Sequence, residues 1–381
     1  GTLRFDGEVG GIRVTRELAF DAATFAIRET TTAESATPQA VSLGYTMSSA
    51  RLDDGDSQYN LTRLAWDQGG SYTEETSEKD MAKGFKPDGN ISWAAVMSNY
   101  FTAAISPNDP DVTVNAVLED RVFRVAVKKD GIMLTPGQTG TFSGIYYLGP
   151  KDQDQLSALP NDMSSLVHYG FFSIISRPLI AMLKFFNGYV HNWGIAIIIL
   201  TVLIKILLWP LSHKSYKSMQ QMKKLQPMML KLKEKYKDDK EALNREMMQL
   251  YRTYKVNPMG GCLPILVQIP VFFGLYQGLM NAIELRHAAF VPTLPFTDWV
   301  WLADLSAKDP YYITPIIMGG TMFLQQWLTP TTGDPTQKKI MMFMPLIFTV
   351  LFLNFPSGLV VYWLTNNVIS IGQQWWQLRK A

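Results

Sequence analysis

The chain has 381 residues, with 35 Lys/Arg against 33 Asp/Glu and a formal charge of +2. That length allows two domains, and the balanced total charge gives no reason to expect nucleic-acid sequence recognition. A single cysteine, Cys262, excludes an internal disulfide, and the four histidines, His168, His191, His213 and His287, leave no Cys/His cluster for a metal.

A mean hydropathy of +0.01 would suit a soluble protein, but it averages two different halves. Residues 1–160 are polar and rich in Thr, Gly and Asp, and they hold no long apolar run. "IRVTRELAF", "FAIRET" and "RVFRVAVKKDGIMLTPGQTGTFSGIYYLGP" alternate apolar and polar residues, the period of half-buried strands, around turn signals at Lys129-Asp130-Gly131 and Pro136-Gly137. A β-sandwich over 1–160 is the expected fold. Its first strands are expected to be missing, because the text starts abruptly at Gly1 with no signal peptide or anchor ahead of it and so reads as a fragment or processed product.

The stretch 161–188, "DMSSLVHYGFFSIISRPLIAMLKFFNGYV" with its flank, is amphipathic. Asp162 is the expected N-cap, and Arg177 and Lys184 lie seven apart on one face. This composition predicts a helix lying in the membrane interface; a buried helix of the preceding domain is the alternative.

From 189 onward the text changes solvent. Apolar stretches long enough to be membrane spans are expected at about 190–210, 261–280, 312–328, 340–354 and 357–376, the last two joined by the tight turn "FPSG". Two of them, 312–328 and 340–354, are short for a ~30 Å hydrocarbon core, which predicts a locally thinned bilayer. Twelve Lys/Arg against five acids between 213 and 255 place that loop in the cytoplasm. The acidic segment 281–311 then falls outside. Lys338, Lys339 and the C-terminus fall inside.

The basic loop, 213–256, reads as a helical hairpin, with Asp238 capping its second helix and Glu241 three residues on, and with Val256-Asn257-Pro258 and Gly260-Gly261 ending it. Met219, Met222, Met228, Met229, Met247 and Met248 offer it polarisable apolar surface of the kind that accepts varied partners. Methionines at helical spacing serve equally well as the hairpin's own packing seam.

No HExxH, GxSxG or phosphate-loop motif is present, so neither an enzyme nor a cofactor is expected. Lys205 is the feature that asks for an explanation. A lysine deep in a span costs about 2.5–3.5 kcal/mol on insertion scales and marks a functional candidate by default, although at four residues from Trp209 it could also snorkel to the interface. Gly194, Thr201, Lys205 and Ser212 share one helical face, Tyr362, Asn366, Ser370 and Gln373 form a second polar stripe, and Gln268 and Gln277 sit within another span. Several polar faces in one bundle point to a hydrated interior. An ion channel or ion-coupled transporter with Lys205 in its cavity is the rival reading, but the text carries no inverted repeat.

"NWGIAIIILTVLIKILLWPL", "MKKLQPMMLKLKEKYKDD", "EMMQLYRTYKVNPMGGCLPILVQIPVFFGLY", "DPYYITPIIMGGTMF" and "KIMMFMPLIFTVLFLNFPSGLVVYW" together resemble the YidC-type membrane protein insertases of Gram-negative bacteria. The resemblance implies an α+β multidomain membrane protein: a periplasmic β-sandwich, an interfacial helix and a five-helix core with a cytoplasmic hairpin. It also implies a groove open to the cytoplasm whose single basic residue, commonly Arg, matches Lys205, with client contacts at Thr201, Phe272, Phe348 and Tyr362; the polar Gln268 and Asn366 are expected to line the same groove and meet clients there. The implied partners are nascent membrane proteins, the Sec translocon, ribosomes or targeting factors, and membrane lipids; the implied location is the bacterial inner membrane. Lys in place of Arg weakens any bidentate carboxylate recognition, though a point charge suffices for transient attraction. The family's sandwich is also similar to sugar mutarotases, but residues 1–160 contain no histidine to act as acid or base.

Overall fold

The computed structural model describes residues 1–21, 23–52, 61–254, 256–257, 260, 263–329 and 335–380. Pro258, Gly261 and Cys262 lie outside them, as do the side chains of Lys338 and Lys339. The chain divides into two compact units, Gly1–His168 with Asn281–Ile283, and Tyr169–Met280 with Glu284–Ala381.

In the first unit, strands β1 (Thr2–Val9), β2 (Ile12–Asp21), β3 (Ala26–Ser35), β4 (Gln39–Ser49), β5 (Arg63–Gln68) and β6 (Ser71–Glu75) precede a one-turn helix α1 (Glu78–Met81). Strands β7 (Ile91–Met97), β8 (Phe101–Pro107), β9 (Thr113–Glu119), β10 (Val122–Leu134) and β11 (Thr139–Pro150) follow, then the short helix α2 (Gln153–Ser157). An eight-stranded sheet in the order β1-β2-β3-β11-β8-β7-β5-β6 faces a three-stranded sheet, β4-β10-β9. Every alternate residue of a half-buried strand points inward. Leu64, Trp66, Ile91, Val96 and Ile105 of the large sheet accordingly meet Tyr45, Val114, Phe123, Val125 and Val127 of the small one in a single apolar core. The stretch Lys129-Asp130-Gly131, expected as a turn, is a bulge inside β10, where the register with β4 shifts between Lys129 and Ile132. Gly131, at φ 71°, supplies the left-handed residue that the extra length requires. Pro136-Gly137 does form the β10–β11 turn, closed by Gln138 N donating to Thr135 O at 2.9 Å.

Asp162 does not cap a long helix. It is itself left-handed (φ 52°) and opens only a 3-10 turn, Met163–Leu166, without a side-chain cap. Gly170 at φ 65° interrupts the run again, so α3 starts at Ser173 and ends at Val190. The second unit continues with α4 (Trp193–Leu207), α5 (Trp209–Lys235), α6 (Lys240–Thr253), α7 (Leu263–Asn281), β12 (Val291–Thr293), β13 (Val300–Leu302), α8 (Ile313–Leu328), α9 (Pro335–Phe352) and α10 (Ser357–Lys380). Asn192 caps α4 by accepting from Ile195 N at 3.0 Å. The stretch expected as one span over 190–210 is broken at Leu208, where α4 and α5 meet at 60°. Pro210, in the first turn of α5, has no N–H to continue the ladder and disfavours helix in the residue before it.

The hairpin α5–α6 packs Met222, Leu225, Met229 and Val256 against Met247, Leu250 and Tyr251. Its second helix is capped by Asp239, which accepts from Ala242 N at 2.9 Å, and not by Asp238. The helix begins one residue later than expected, which puts Glu241 at its second position and out of reach of a capping box.

Small residues let the other helices approach closely. A Cβ on Gly319 of α8 would lie 2.0 Å from Thr349 Oγ1 of α9, and Cβ atoms on Gly274 and Gly278 of α7 would press on Ile175 and Ile180 of α3. Ser176 Oγ adds a 2.7 Å bond to Gly274 O. Among the described residues no single helix is both long and apolar enough to cross a bilayer; α4 and α5 meet that measure only as a bent pair.

Candidate functional site

Lys205 lies in the last turn of α4 and is buried, although α4 carries no acid to neutralise it. Its Nζ donates to Ser370 Oγ of α10 at 2.7 Å, and no carboxylate pairs with it among the described residues. Ser370 donates in turn to Asn366 O at 2.7 Å. Asn366 Oδ1 accepts from Gln268 Nε2 of α7 at 2.5 Å. A set of polar contacts thus links α4, α10 and α7: Lys205 to the Ser370 hydroxyl, that hydroxyl to the Asn366 backbone carbonyl, and the Asn366 side chain to Gln268.

These contacts open on a cavity of about 260 Å3 between α7, α8, α9 and α10. Gln268, Phe272, Tyr362 and Asn366 line it, together with Gln325, Gln326 and Asn367. Tyr362 is almost fully buried. Phe272 stands edge-on to Trp363 at 4.7 Å; Phe348 of α9 is not among the lining residues and stacks on Trp363 at 6.0 Å. Thr201 and Lys205 are not part of the lining. The Thr201 hydroxyl is buried and donates to Ile197 O of its own helix at 2.7 Å.

The α10 face beyond the cavity is polar and buried: Asn367, Ser370, Gln373, Gln374 and Gln377 follow one another along it. Asn367 donates to Thr321 Oγ1 of α8 at 3.3 Å and Gln374 to Thr329 Oγ1 at 3.2 Å. Gln326 Nε2, Gln373 Nε2 and Gln374 Oε1 are buried with no protein partner among the described residues. Buried amide atoms are almost always satisfied, so this seam calls for solvent within the bundle.

Three expected polar positions serve other ends. Gln277 accepts from Phe172 N at 3.3 Å and so holds the start of α3. Gly194 shares the buried face of α4 with Thr201 and Lys205 and is the landing point for the Phe290 ring, whereas Ser212 lies beyond the bend at Leu208. Among the methionines, Met222, Met229 and Met247 form the hairpin seam. Met219 is half-buried, with Ser215 Oγ 4.0 Å from its sulfur. Only Met228 and Met248 present exposed surface. Sequence reading missed Gln325, Gln326, Asn367 and Gln374. The adjacent pairs Gln325-Gln326 and Gln373-Gln374 inside otherwise apolar helices were the available signal.

Residues 185–381 match the family described as 60Kd inner membrane protein, and residues 2–182 match the YidC periplasmic domain. The membrane protein insertase YidC of Nitratidesulfovibrio vulgaris strain DP4 is 59% identical over 383 residues, covering 100% of this chain and 72% of that protein. The chain belongs to the YidC family of membrane protein insertases. The YidC of Oleidesulfovibrio alaskensis is 56% identical, again over 100% of this chain and 72% of its own length. A crystal structure of an active YidC insertase with its first transmembrane domain resolved overlaps 97% of this chain and 75% of that one, at 20% identity and a TM-score of 0.44. YidC-family proteins are inner-membrane proteins with a periplasmic domain, and here the periplasmic match covers the β-sandwich unit and runs on into α3, while the membrane match covers the helices that follow.

Proposed function

We propose that this chain inserts membrane proteins by way of the cavity between α7, α8, α9 and α10, with Lys205 as its attracting charge. The observation that carries the reading is a buried lysine held by a serine hydroxyl, with no carboxylate partner among the described residues, behind an amide-lined cavity. An Asp or Glu in a client's extracellular tail would cost about 2.5–3.5 kcal/mol to carry into hydrocarbon. A hydrated cation met part-way lowers that barrier. The pairing stays weak because solvent screens it, so the client is released rather than trapped. The client's apolar segment would slide along α7 and α9, which expose Leu266, Val267, Phe343 and Ile347.

In this reading α4, α7, α8, α9 and α10 span the inner membrane together. At 16 residues α8 covers only ~24 Å, so the bilayer thins around it. The basic α5–α6 hairpin faces the cytoplasm and receives clients from ribosomes or targeting factors through Met228 and Met248, and the Sec translocon is a working partner. Insertion of a client with an acidic tail into proteoliposomes tests the proposal, with photocrosslinkers at Phe272, Phe348 and Tyr362. Lys205→Ala lowers the yield and Lys205→Glu lowers it further; undiminished insertion by both variants would overturn the role of the charge. Absence of crosslinks at all three positions would overturn the path. Solute flux without a client would favour a channel.

A further inference from the structure

The segment 284–312 is built as a platform at one end of the helical unit. Asn192, the cap of α4, also donates to Phe290 O at 3.0 Å, and Phe290 sits on Gly194. Asp309 is fully buried and accepts from Trp301 Nε1, Tyr311 N, Thr314 N and Thr314 Oγ1, which fastens the start of α8. Ser357 N donates to Ala307 O at 2.7 Å and Gly358 N to Leu305 O at 2.9 Å, which fastens the start of α10. The first turns of α4, α8 and α10 therefore lie at one level, and the platform marks it.

From this base the β12–β13 hairpin, Val291–Leu302, projects with its apolar residues outward. Leu302 and Leu305 are buried beneath it, while Phe296 at its tip is fully exposed, and Pro295, Trp299 and Val300 are exposed beside it. The tip is ordered: Leu294 N donates to Trp299 O at 2.8 Å and Thr297 N to Leu294 O at 3.0 Å. Trp299 packs on Tyr311 at 5.8 Å, immediately before α8. From that contact, exposed apolar side chains continue through Tyr311 and Tyr312 to Ile316 and Ile317 in the first turns of α8. Phe296 also occupies the left-handed region at φ 65°, where Gly or Asn would sit with less strain. The turn alone gives no reason for an aromatic there.

We propose that the Val291–Leu302 hairpin is a lipid anchor, inserting Phe296 and Trp299 into the headgroup layer of the bilayer at the level where α4, α8 and α10 begin. Bulky aromatics gather at that depth, where an apolar ring and a polar backbone are both accommodated. Continuity with the lipid-facing side of α8 favours a bilayer over a protein as the occupant. The anchor would fix the depth of the helix starts, and thereby the thickness of bilayer that the short α8 must match.

The test uses the protein reconstituted in phosphatidylcholine vesicles, with Cys262→Ser and an environment-sensitive fluorophore on Phe296→Cys. The side chain is fully exposed, so the replacement leaves the fold intact. A second label on Glu241→Cys, 90% exposed at the start of α6, serves as the aqueous reference. The expected result is emission at shorter wavelength than the reference, several-fold stronger quenching by lipids bearing a nitroxide high on the acyl chain, and several-fold weaker quenching by iodide equilibrated across the membrane. Iodide quenching equal to the reference would overturn the proposal. So would protection from both quenchers, the result expected if a protein partner or a second copy covers the hairpin. None of these outcomes depends on insertion activity.

Discussion

Ser370→Ala is the sharpest probe of the site, because it removes one hydroxyl and leaves the charge. Lys205 Nζ has Ser370 Oγ as its 2.7 Å partner, and that hydroxyl is itself oriented by its 2.7 Å bond to Asn366 O. A hydrogen bond to a charged group contributes roughly 1.5–3 kcal/mol, and water in the seam recovers part of it. A net loss of about 1–2 kcal/mol remains, which corresponds to roughly a five- to thirtyfold slower insertion if the ammonium must be held in place while the client passes. Ser370 would then be a positioning residue, acting only through Lys205.

A double-mutant cycle separates this from a packing defect. Insertion rates of an acidic-tail client and of its neutral-tail counterpart are measured for wild type, Ser370→Ala, Lys205→Ala and the double variant. Ser370→Ala should slow the acidic client alone, Ser370→Thr should restore it, and the double variant should match Lys205→Ala. Equal slowing of both clients, or effects of the two substitutions that simply add, would refute the reasoning, since independent sites add and coupled ones do not.

Three further outcomes follow from other parts of the molecule. Lys151 is buried in the sandwich unit with its Nζ 3.3 Å from Ser98 O, and burial, helped by Arg63 and opposed by Glu74, lowers its pKa from 10.5 to about 7. The charged form is the one disfavoured by folding, so the cost is full below pH 7, shrinks as the pH rises and is gone above 10.5; at about 1.4 kcal/mol per unit it is on the order of 5 kcal/mol. Lys151→Met should therefore raise the melting temperature at neutral pH and flatten its rise toward alkaline pH, and an unchanged profile would count against the buried-charge account. In the hairpin, Met222→Ala and Met229→Ala should destabilise α5–α6 by about 2–4 kcal/mol each, read by hydrogen exchange, while Met228→Gln and Met248→Gln should leave exchange unchanged and weaken client crosslinking. Asp309→Asn turns an acceptor of four hydrogen bonds into one that must present an N–H to other donors; a loss of roughly 2–4 kcal/mol should appear in thermal unfolding.

The sandwich was legible because strand periodicity survives wherever one face is buried; its one misreading, at Lys129-Asp130-Gly131, arose because turns and bulges draw on the same residues. The hairpin seam was legible from the methionine spacing, but spacing alone does not say which methionines face inward. Lys205 was legible as an anomaly of charge. Its partner Ser370 was visible only as one member of a stripe, since a contact between residues 165 apart cannot be read from local pattern. The platform that holds the starts of α4, α8 and α10 stayed hidden for the same reason. Asp309 is a different case: it counted as one more loop acid although its four donors, from Trp301, Tyr311 and Thr314, lie within eight residues of it.

The hydropathy of the helices and the chemistry of the site are two sides of one constraint. α10 is 24 residues long, ample for a bilayer, yet it carries Asn366, Asn367, Ser370, Gln373, Gln374 and Gln377 and fails the apolar measure of a span. α4 is apolar but ends at Leu207, short of a full crossing. A helix polar enough to wall a hydrated cavity cannot be stable in lipid by itself, so its polar face must be covered by neighbours or by water. α8 covers that face through Asn367–Thr321 and Gln374–Thr329, and α4 covers it through Lys205–Ser370. In the proposed reading, the contacts that would let α10 exist in a membrane are also those a client with a polar tail would compete for. Weak, exchangeable amide and hydroxyl bonds suit that exchange better than an ion pair would, because a neutral hydrogen bond contributes only about 0.5–1.5 kcal/mol net, whereas breaking a buried pair by removing one partner costs about 3–5 kcal/mol.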